Sequence, residues 1–216
     1  MTIAIPAITA GHVTGRVGYE GVQLRAIKMA LHHWAEYGKC FSKYNVILGT
    51  ELAITEKIKV RIMNDRLGLE LLAAEVYQEH GQPEAAIDLL EKSAFHSERV
   101  VRLSLGELYF QGKEYEKCIK ELQRIENNDN AGTVALLYQG IAFRELGHLG
   151  PAIEVFRMAL RRKKERDEEV LTEIWYELAK TLIQVGEKKK AKKELEAIML
   201  RQVDYQDVRA LLETLA

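Results

Sequence analysis

Four stretches of this chain share one arrangement of apolar, small and polar positions, and each reads as two short helices joined by a turn. A large residue is followed nine positions later by a small one: Tyr77 with Ala86, Tyr109 with Cys118, Phe143 with Ala152, and Leu182 with Ala191. Successive large anchors lie 32, 34 and 39 residues apart. Three residues before each anchor stands a small side chain (Ala74, Gly106, Gly140, Ala179). That is one turn away on the same helical face, where a second helix must come close. Gly81, Gly112, Gly147 and Gly186 follow the anchors and suit a helix C-cap or tight turn. The second helix opens on the small anchor and continues with Leu90, Leu122, Phe156 and Leu195, then Ser93, Ile125, Ala159 and Ile198. This i, i+4, i+7 stripe is the mark of an amphipathic helix that buries one face. Pro83 and Pro151 fall near the starts of second helices, where a missing N–H is tolerated.

The two ends are less regular. Asp204–Ala216 begins with an aspartate suited to an N-cap and carries Val208, Leu211, Leu212 and Leu215 on one face. It predicts a C-terminal capping helix over 204–216, closing a stack whose last repeat would otherwise expose its core. Residues 20–64 predict an N-terminal helical region, with Leu24, Ile27, Leu31 and Trp34 at helical spacing. Tyr44 and Ala53 are again nine apart and offer one degenerate repeat, although Phe41 replaces the small residue and Lys57 the large one. Residues 1–19 read as a flexible or extended segment.

The repeated residues resemble the tetratricopeptide repeat (TPR), whose pattern is W-x2-L-G-x2-Y followed by small, aromatic and small positions over 34 residues. The fourth copy, WYELAKTL, supplies Trp175 and Leu178, and the second, LGELYF, supplies Leu105, Gly106 and Tyr109. The resemblance covers about residues 65–200. Glu70 and Arg102 stand where the family prefers a large apolar residue, and its end-of-repeat proline is missing. The resemblance implies an all-α fold, a right-handed α-solenoid of stacked antiparallel helix pairs. Its four repeats would run over about 67–98, 99–132, 133–171 and 172–203, within 65–203.

In that family the first helix of each repeat lines a concave groove that holds ligands. The matching positions here are Leu71, Glu75 and Gln78; Leu103, Glu107 and Phe110; Leu137, Ile141 and Arg144; Tyr176, Lys180 and Ile183. Each trio is spaced i, i+4, i+7 and can share one helical face. The alternative is that the apolar members are repeat-to-repeat core. The carboxylate clamp that some members use for C-terminal peptides is not matched, because its region offers Leu71, Glu75, Val134 and Tyr138.

Composition narrows the function further. Formal net charge is −1, so no global field draws the chain to nucleic acid or anionic lipid. No apolar run approaches the roughly 18 residues a spanning helix requires, so no membrane role is expected. Two cysteines, Cys40 and Cys118, are too few and too far apart for a disulfide framework or zinc site, and reduced thiols fit the cytoplasm. The N-terminal TIAIPAITA lacks the basic flank of a secretory signal.

The glycines between Gly11 and Gly21 lack the strand–helix context of a phosphate loop. His32 and Glu36 can share a helical face, yet a metal site needs three or four ligands. His80, His96 and His148 have no nucleophile beside them. No catalytic, cofactor-binding or metal residues are therefore assigned, and no enzyme is expected.

The run RRKKERDEE, Arg161–Glu169, reads two ways. Basic residues can close one helix and acidic ones open the next, which also explains the 39-residue interval by longer helices. Alternatively the run joins Lys188, Lys189, Lys190, Lys192 and Lys193 as a contact for nucleic acid or an acidic partner, although no aromatic residues interleave. The reading these features favour is a non-catalytic adaptor that holds a peptide or helix of another protein in its groove. Two others stay open: a homo-oligomer whose N-terminal apolar segment docks in its own or a neighbour's groove, and recognition through the Lys/Arg-rich C-terminal repeats.

Overall fold

The computed structural model describes residues 20–44 and 49–215. The expected leader at 1–19, with TIAIPAITA and the glycines Gly11, Gly15 and Gly18, lies outside the described residues. Eleven helices and two strands follow in order among those described. They are α1 (Glu20–His32), α2 (Trp34–Lys43), β1 (Gly49–Thr55), β2 (Ile58–Met63), α3 (Arg66–Glu79), α4 (Pro83–Glu91), α5 (Arg99–Gln111), α6 (Tyr115–Leu122), α7 (Asn130–Glu145), α8 (Leu149–Leu160), α9 (Glu168–Val185), α10 (Lys188–Met199) and α11 (Val208–Thr214). Two units divide within α5, one ending at Leu105 and the other beginning at Gly106.

In the first unit α3 packs against α1, α4 and both strands. The strands correct the expectation of a helical region, with a degenerate repeat, across 20–64. Residues 49–63 form an antiparallel hairpin in which Leu52 faces Val60 and Glu51 faces Arg61. The local sequence explains it. Leu52 and Ile54, then Ile58 and Ile62, are buried, with exposed Ala53, Lys59 and Arg61 between them, while β-branched side chains favour the pleated surface. The Thr55 hydroxyl oxygen closes the turn by accepting from the Lys57 and Ile58 amides at 3.2 and 3.0 Å. The nine-residue spacing of Tyr44 and Ala53 coincides with this period-2 pattern and has no helix pair behind it.

Glu70, the charged residue at an expected apolar position, is buried and fully partnered. Its carboxylate accepts from Arg66 Nε at 2.6 Å and from the Ser93 hydroxyl at 2.5 Å. Arg66 donates onward to the Leu31 carbonyl of α1 at 2.9 Å. A buried carboxylate is tolerable only with such compensation, so Ser93, at a family small-residue position, is selected by its hydroxyl here.

One turn recurs in all four helix pairs. The amide of Gln82 donates to the Tyr77 carbonyl, Glu114 to Tyr109, His148 to Phe143 and Glu187 to Leu182, at 2.8–2.9 Å. One residue earlier Gly81, Lys113, Gly147 and Gly186 donate to Gln78, Phe110, Arg144 and Ile183. These paired bonds define a Schellman C-cap, which places the C′ residue in the left-handed region. Gly81, Gly147 and Gly186 occupy it at φ 66°, 78° and 85°. In the second copy the position belongs to Lys113 at φ 59°, not to Gly112 as the sequence alignment assumed.

Burial then matches the periodic stripe. Ala86, Cys118, Ala152 and Ala191, with Leu90, Leu122, Phe156 and Leu195, all have 0% exposure. In the second unit a methyl group added at Gly106 would run into the Leu122 side chain, and one at Gly140 into the Phe156 ring. The small residues on the first helices are thus what lets the large residues on the second reach full burial.

Three of the four first helices, all but α5, start on aspartates that sequence reasoning passed over. Asp65 accepts from the Gly68 amide at 2.7 Å, Asp129 from Gly132 at 3.0 Å, and Asp167 from Glu169 at 2.9 Å. Asp204, by contrast, is not a cap; α11 begins after Asp207, whose side chain makes no cap bond. The extra residues before the fourth pair form a loop as well as a long α9. Arg162 of that loop donates to the Asn127 carbonyl at 3.1 Å and to Asn128 Oδ1 at 2.9 Å.

Two substitutions test the turn and the close approach. Gly140→Ala should destabilise by roughly 1–3 kcal/mol through overpacking against Phe156, read from denaturant midpoints at constant m-value. Lys113→Gly should stabilise by roughly 0.5–1 kcal/mol in the same measurement, since the left-handed strain exceeds the entropic penalty of glycine.

Candidate functional site

Within the second unit, the first helices α7 and α9 and the end of α5 present side chains that touch from one repeat to the next. The Phe110 ring of α5 lies 4.9 Å from the Tyr138 ring of α7, tilted by 40°. Three residues on from Tyr138 comes Ile141, half-buried, and three further Arg144. The guanidinium of Arg144 pairs with Glu177 of α9 and with Glu145, the latter at 3.1 Å. Glu177 also accepts from Lys180 Nζ at 3.2 Å, and Lys180 lies 5.0 Å from the centre of the Tyr176 ring. Arg144 and Glu177 side chains are only 8% and 10% exposed, so their pairing is stronger and less screened by salt than a surface ion pair. The result is an apolar area in which Phe110 and Ile141 are half-buried over the buried Tyr138 ring, bordered by a fixed charge row, Arg144, Glu177 and Lys180.

Several positions expected to meet a ligand are core instead. Leu71, Leu103 and Leu137 are buried, with Leu137 at 0%, because their side chains fill the space between helices. Glu107 and Tyr176 are buried too. Glu75 and Gln78 are half-buried on α3 in the first unit. Ile183 packs against the cluster of Trp175, Tyr176, Ala179, Leu195, Ile198 and Val208, together with Leu211, Leu212 and Leu215 of the C-terminal segment. That segment therefore occupies the part of α9 that Tyr176 and Ile183 were expected to offer. The structure leaves Phe110, Ile141, Arg144 and Lys180 of the expected set on the shared face of the second unit. It adds Tyr138 and Glu177, whose i, i+3 spacing from Ile141 and Lys180 is visible in the sequence only once the face is known.

Chemically the described residues are quiet. No group of three or more His, Cys, Asp or Glu residues is placed to hold a metal ion among them. His33, not His32, approaches Glu36, at 3.9 Å, because α1 ends at His32 and changes the register of the pair. Cys118 is a free thiol with 0% exposure, and burial pushes its pKa up to about 12, the condition of an inert structural cysteine. No helix among the described residues is long and apolar enough to cross a membrane.

Comparison with known proteins bears on one repeat and on the fold. Residues 172–200, covering most of the fourth repeat, match the family model for the tetratricopeptide repeat. The fold resembles the N-terminal domain of the EccA1 ATPase from the ESX-1 secretion system of Mycobacterium tuberculosis. That likeness has 15% identity, a TM-score of 0.66, and covers 99% of this chain and 82% of that one. It also resembles YrrB, described as a TPR protein with an unusual peptide-binding site, at 18% identity and TM-score 0.62 over 97% and 92% of the two chains. The MamA protein is similar at 16% identity and TM-score 0.64 over 95% and 94%. Residues 172–200 carry a tetratricopeptide repeat, and the fold as a whole is that of TPR solenoids. No curated protein matches its sequence, and at these identities the likeness to solved structures concerns the fold.

The C-terminal segment is fastened by Tyr176. Its hydroxyl donates to Asp207 Oδ1 at 2.6 Å, and its ring meets Tyr205 edge-on at 5.7 Å. Burial first, then the hydrogen bond to Asp207 and the charges of Asp207 and Glu177, raise the Tyr176 pKa above its ordinary 10.0. Burial also carries Tyr205 up to about 12. The folded state thus binds these protons more tightly than the unfolded one, so the contribution is complete below pH 10 and lost as pH rises beyond it. Tyr176→Phe should loosen α11 by about 1–2 kcal/mol at pH 7, seen as faster amide exchange over Val208–Thr214. It should also show a smaller further loss between pH 10 and 12 than the parent chain.

Proposed function

We propose that this TPR protein is a protein–protein adaptor and that the face built from Phe110, Tyr138, Ile141, Arg144 and Lys180 receives a peptide or helix of its partner. Support comes from the chemistry of that face. An apolar and aromatic area lies beside charges already fixed by one another, so little side-chain entropy is lost when a ligand settles on it. The observation that carries the reading is the Arg144–Glu177–Lys180 row bridging successive first helices, because it holds two repeats' side chains in one recognition surface. Lys180 retains free donor capacity for a carbonyl or carboxylate, and Ile141 with Phe110 supplies an apolar seat. A TPR protein with a described peptide-binding site among the structural relatives is consistent with this use of the fold.

Peptides selected from a random display library on the full chain test it. Ile141→Glu, which keeps the helix but charges the seat, should weaken their binding at least tenfold, a loss of about 1.4 kcal/mol, with the circular dichroism spectrum unchanged. Undiminished binding by that variant would place the docking surface elsewhere.

A further inference from the structure

A second surface of the same unit lies away from the face just described. A cleft of about 450 Å³ opens between α8 and α10, with Trp175 and Leu182 of α9 in its floor. Five cations line it, among them Arg161, Lys163, Lys190 and Lys193, against one carboxylate, that of Glu194. This imbalance is local, since the chain as a whole has a formal charge of −1. Among the described residues, Arg161 and Lys193 are exposed and have no carboxylate within 4.0 Å.

Helix electrostatics do not account for these lysines. α9 opens with Glu168 and Glu169, as its positive N-terminus favours. α10 opens with Lys188, Lys189 and Lys190 and has no acidic residue in its first turn. Only Glu187 answers them, through Lys190 at 2.7 Å. Cations at a helix N-terminus oppose the dipole, so stability alone would not place them there. The sequence pattern showed no aromatic residue among these charges, whereas the fold puts Trp175 beneath them: Lys163 lies 4.9 Å and Arg201 4.2 Å from its ring centre.

We propose that this cleft docks an acidic segment of a partner protein that carries one apolar side chain. The cations at the rim call for carboxylates, and Leu160, the half-buried apolar residue of its lining, calls for a side chain such as Leu or Phe. The occupant is not the chain's own leader, because residues 1–19 contain no Asp or Glu. A nucleic acid fits less well. Trp175 is only 5% exposed and its ring is already covered by Lys163 and Arg201, so no base can stack on it as single-strand binders require.

The test uses the full chain and a fluorescein-labelled peptide of Asp and Glu residues around one Phe, followed by anisotropy. Binding is expected, weakening as salt rises and falling at least tenfold in the double variant Arg161→Glu, Lys193→Glu, both exposed sites that leave the fold intact. Replacing the peptide's Phe by Ala should also weaken it. Ile141→Glu should leave it unchanged, which separates this cleft from the α7–α9 face. Equal binding of a peptide with Gln in place of every acid would overturn the proposal. So would an unaltered affinity in the double variant, loss of the peptide in Ile141→Glu, or tighter binding of a single-stranded oligonucleotide than of the peptide.

Discussion

The hydrogen bond from the residue after each left-handed turn to the carbonyl of the large anchor fixes everything downstream of it. In Gln82–Tyr77, Glu114–Tyr109, His148–Phe143 and Glu187–Leu182 the same bond reverses the chain at the same point relative to the apolar stripe. The reversal sets where the second helix begins, and hence which of its residues meets the small position on the first. Were the turn one residue later, Leu122 would no longer lie over Gly106, nor Phe156 over Gly140. Eight positions reach 0% exposure only because turn and stripe agree. This agreement between local turn chemistry and long-period packing is what makes a repeat array fold to one structure.

Much of the helix pairing was legible because each anchor is constrained twice, by helical period and by close approach. Ala86, Cys118, Ala152 and Ala191 stand out in the sequence for the same reason that they are buried. The hairpin at Gly49–Met63 was not legible through the repeat alignment. Tyr44 and Ala53 satisfied the spacing by coincidence, while the deciding signal was the alternation Leu52, Ile54, Ile58, Ile62. Lys113 was missed because a lysine gives no sign of positive φ; only its bond to Phe110 and its alignment with Gly81, Gly147 and Gly186 reveal it. The aspartate caps Asp65 and Asp129 were visible as D-x-x-G, where the glycine admits a neighbouring backbone, Met63 or Glu126.

The candidate faces were legible only in part, for a physical reason. A trio spaced i, i+4, i+7 identifies a helical face but not which way that face looks. Leu137 and Ile141 are one turn apart, yet one is sealed and the other half-buried. Tyr176 and Ile183 were assigned to a ligand and are taken by the C-terminal segment, which needs an apolar surface as much as any partner does. Charge pairing also depends on neighbours that sequence does not order. Arg144 and Glu177 are 33 residues apart and lock together, whereas Arg161 and Lys193 converge on a cleft whose lining holds one carboxylate, that of Glu194.

Native-state amide exchange by NMR at Gln82, Glu114, His148 and Glu187 tests the central claim most directly. These four amides lie in short turns near the surface, where exchange is fast unless the amide is bonded. The repeated turn predicts protection comparable to the interior of the helix before each of them. Exchange at the rate of an open loop at these positions would contradict it, and with it the register that builds both faces.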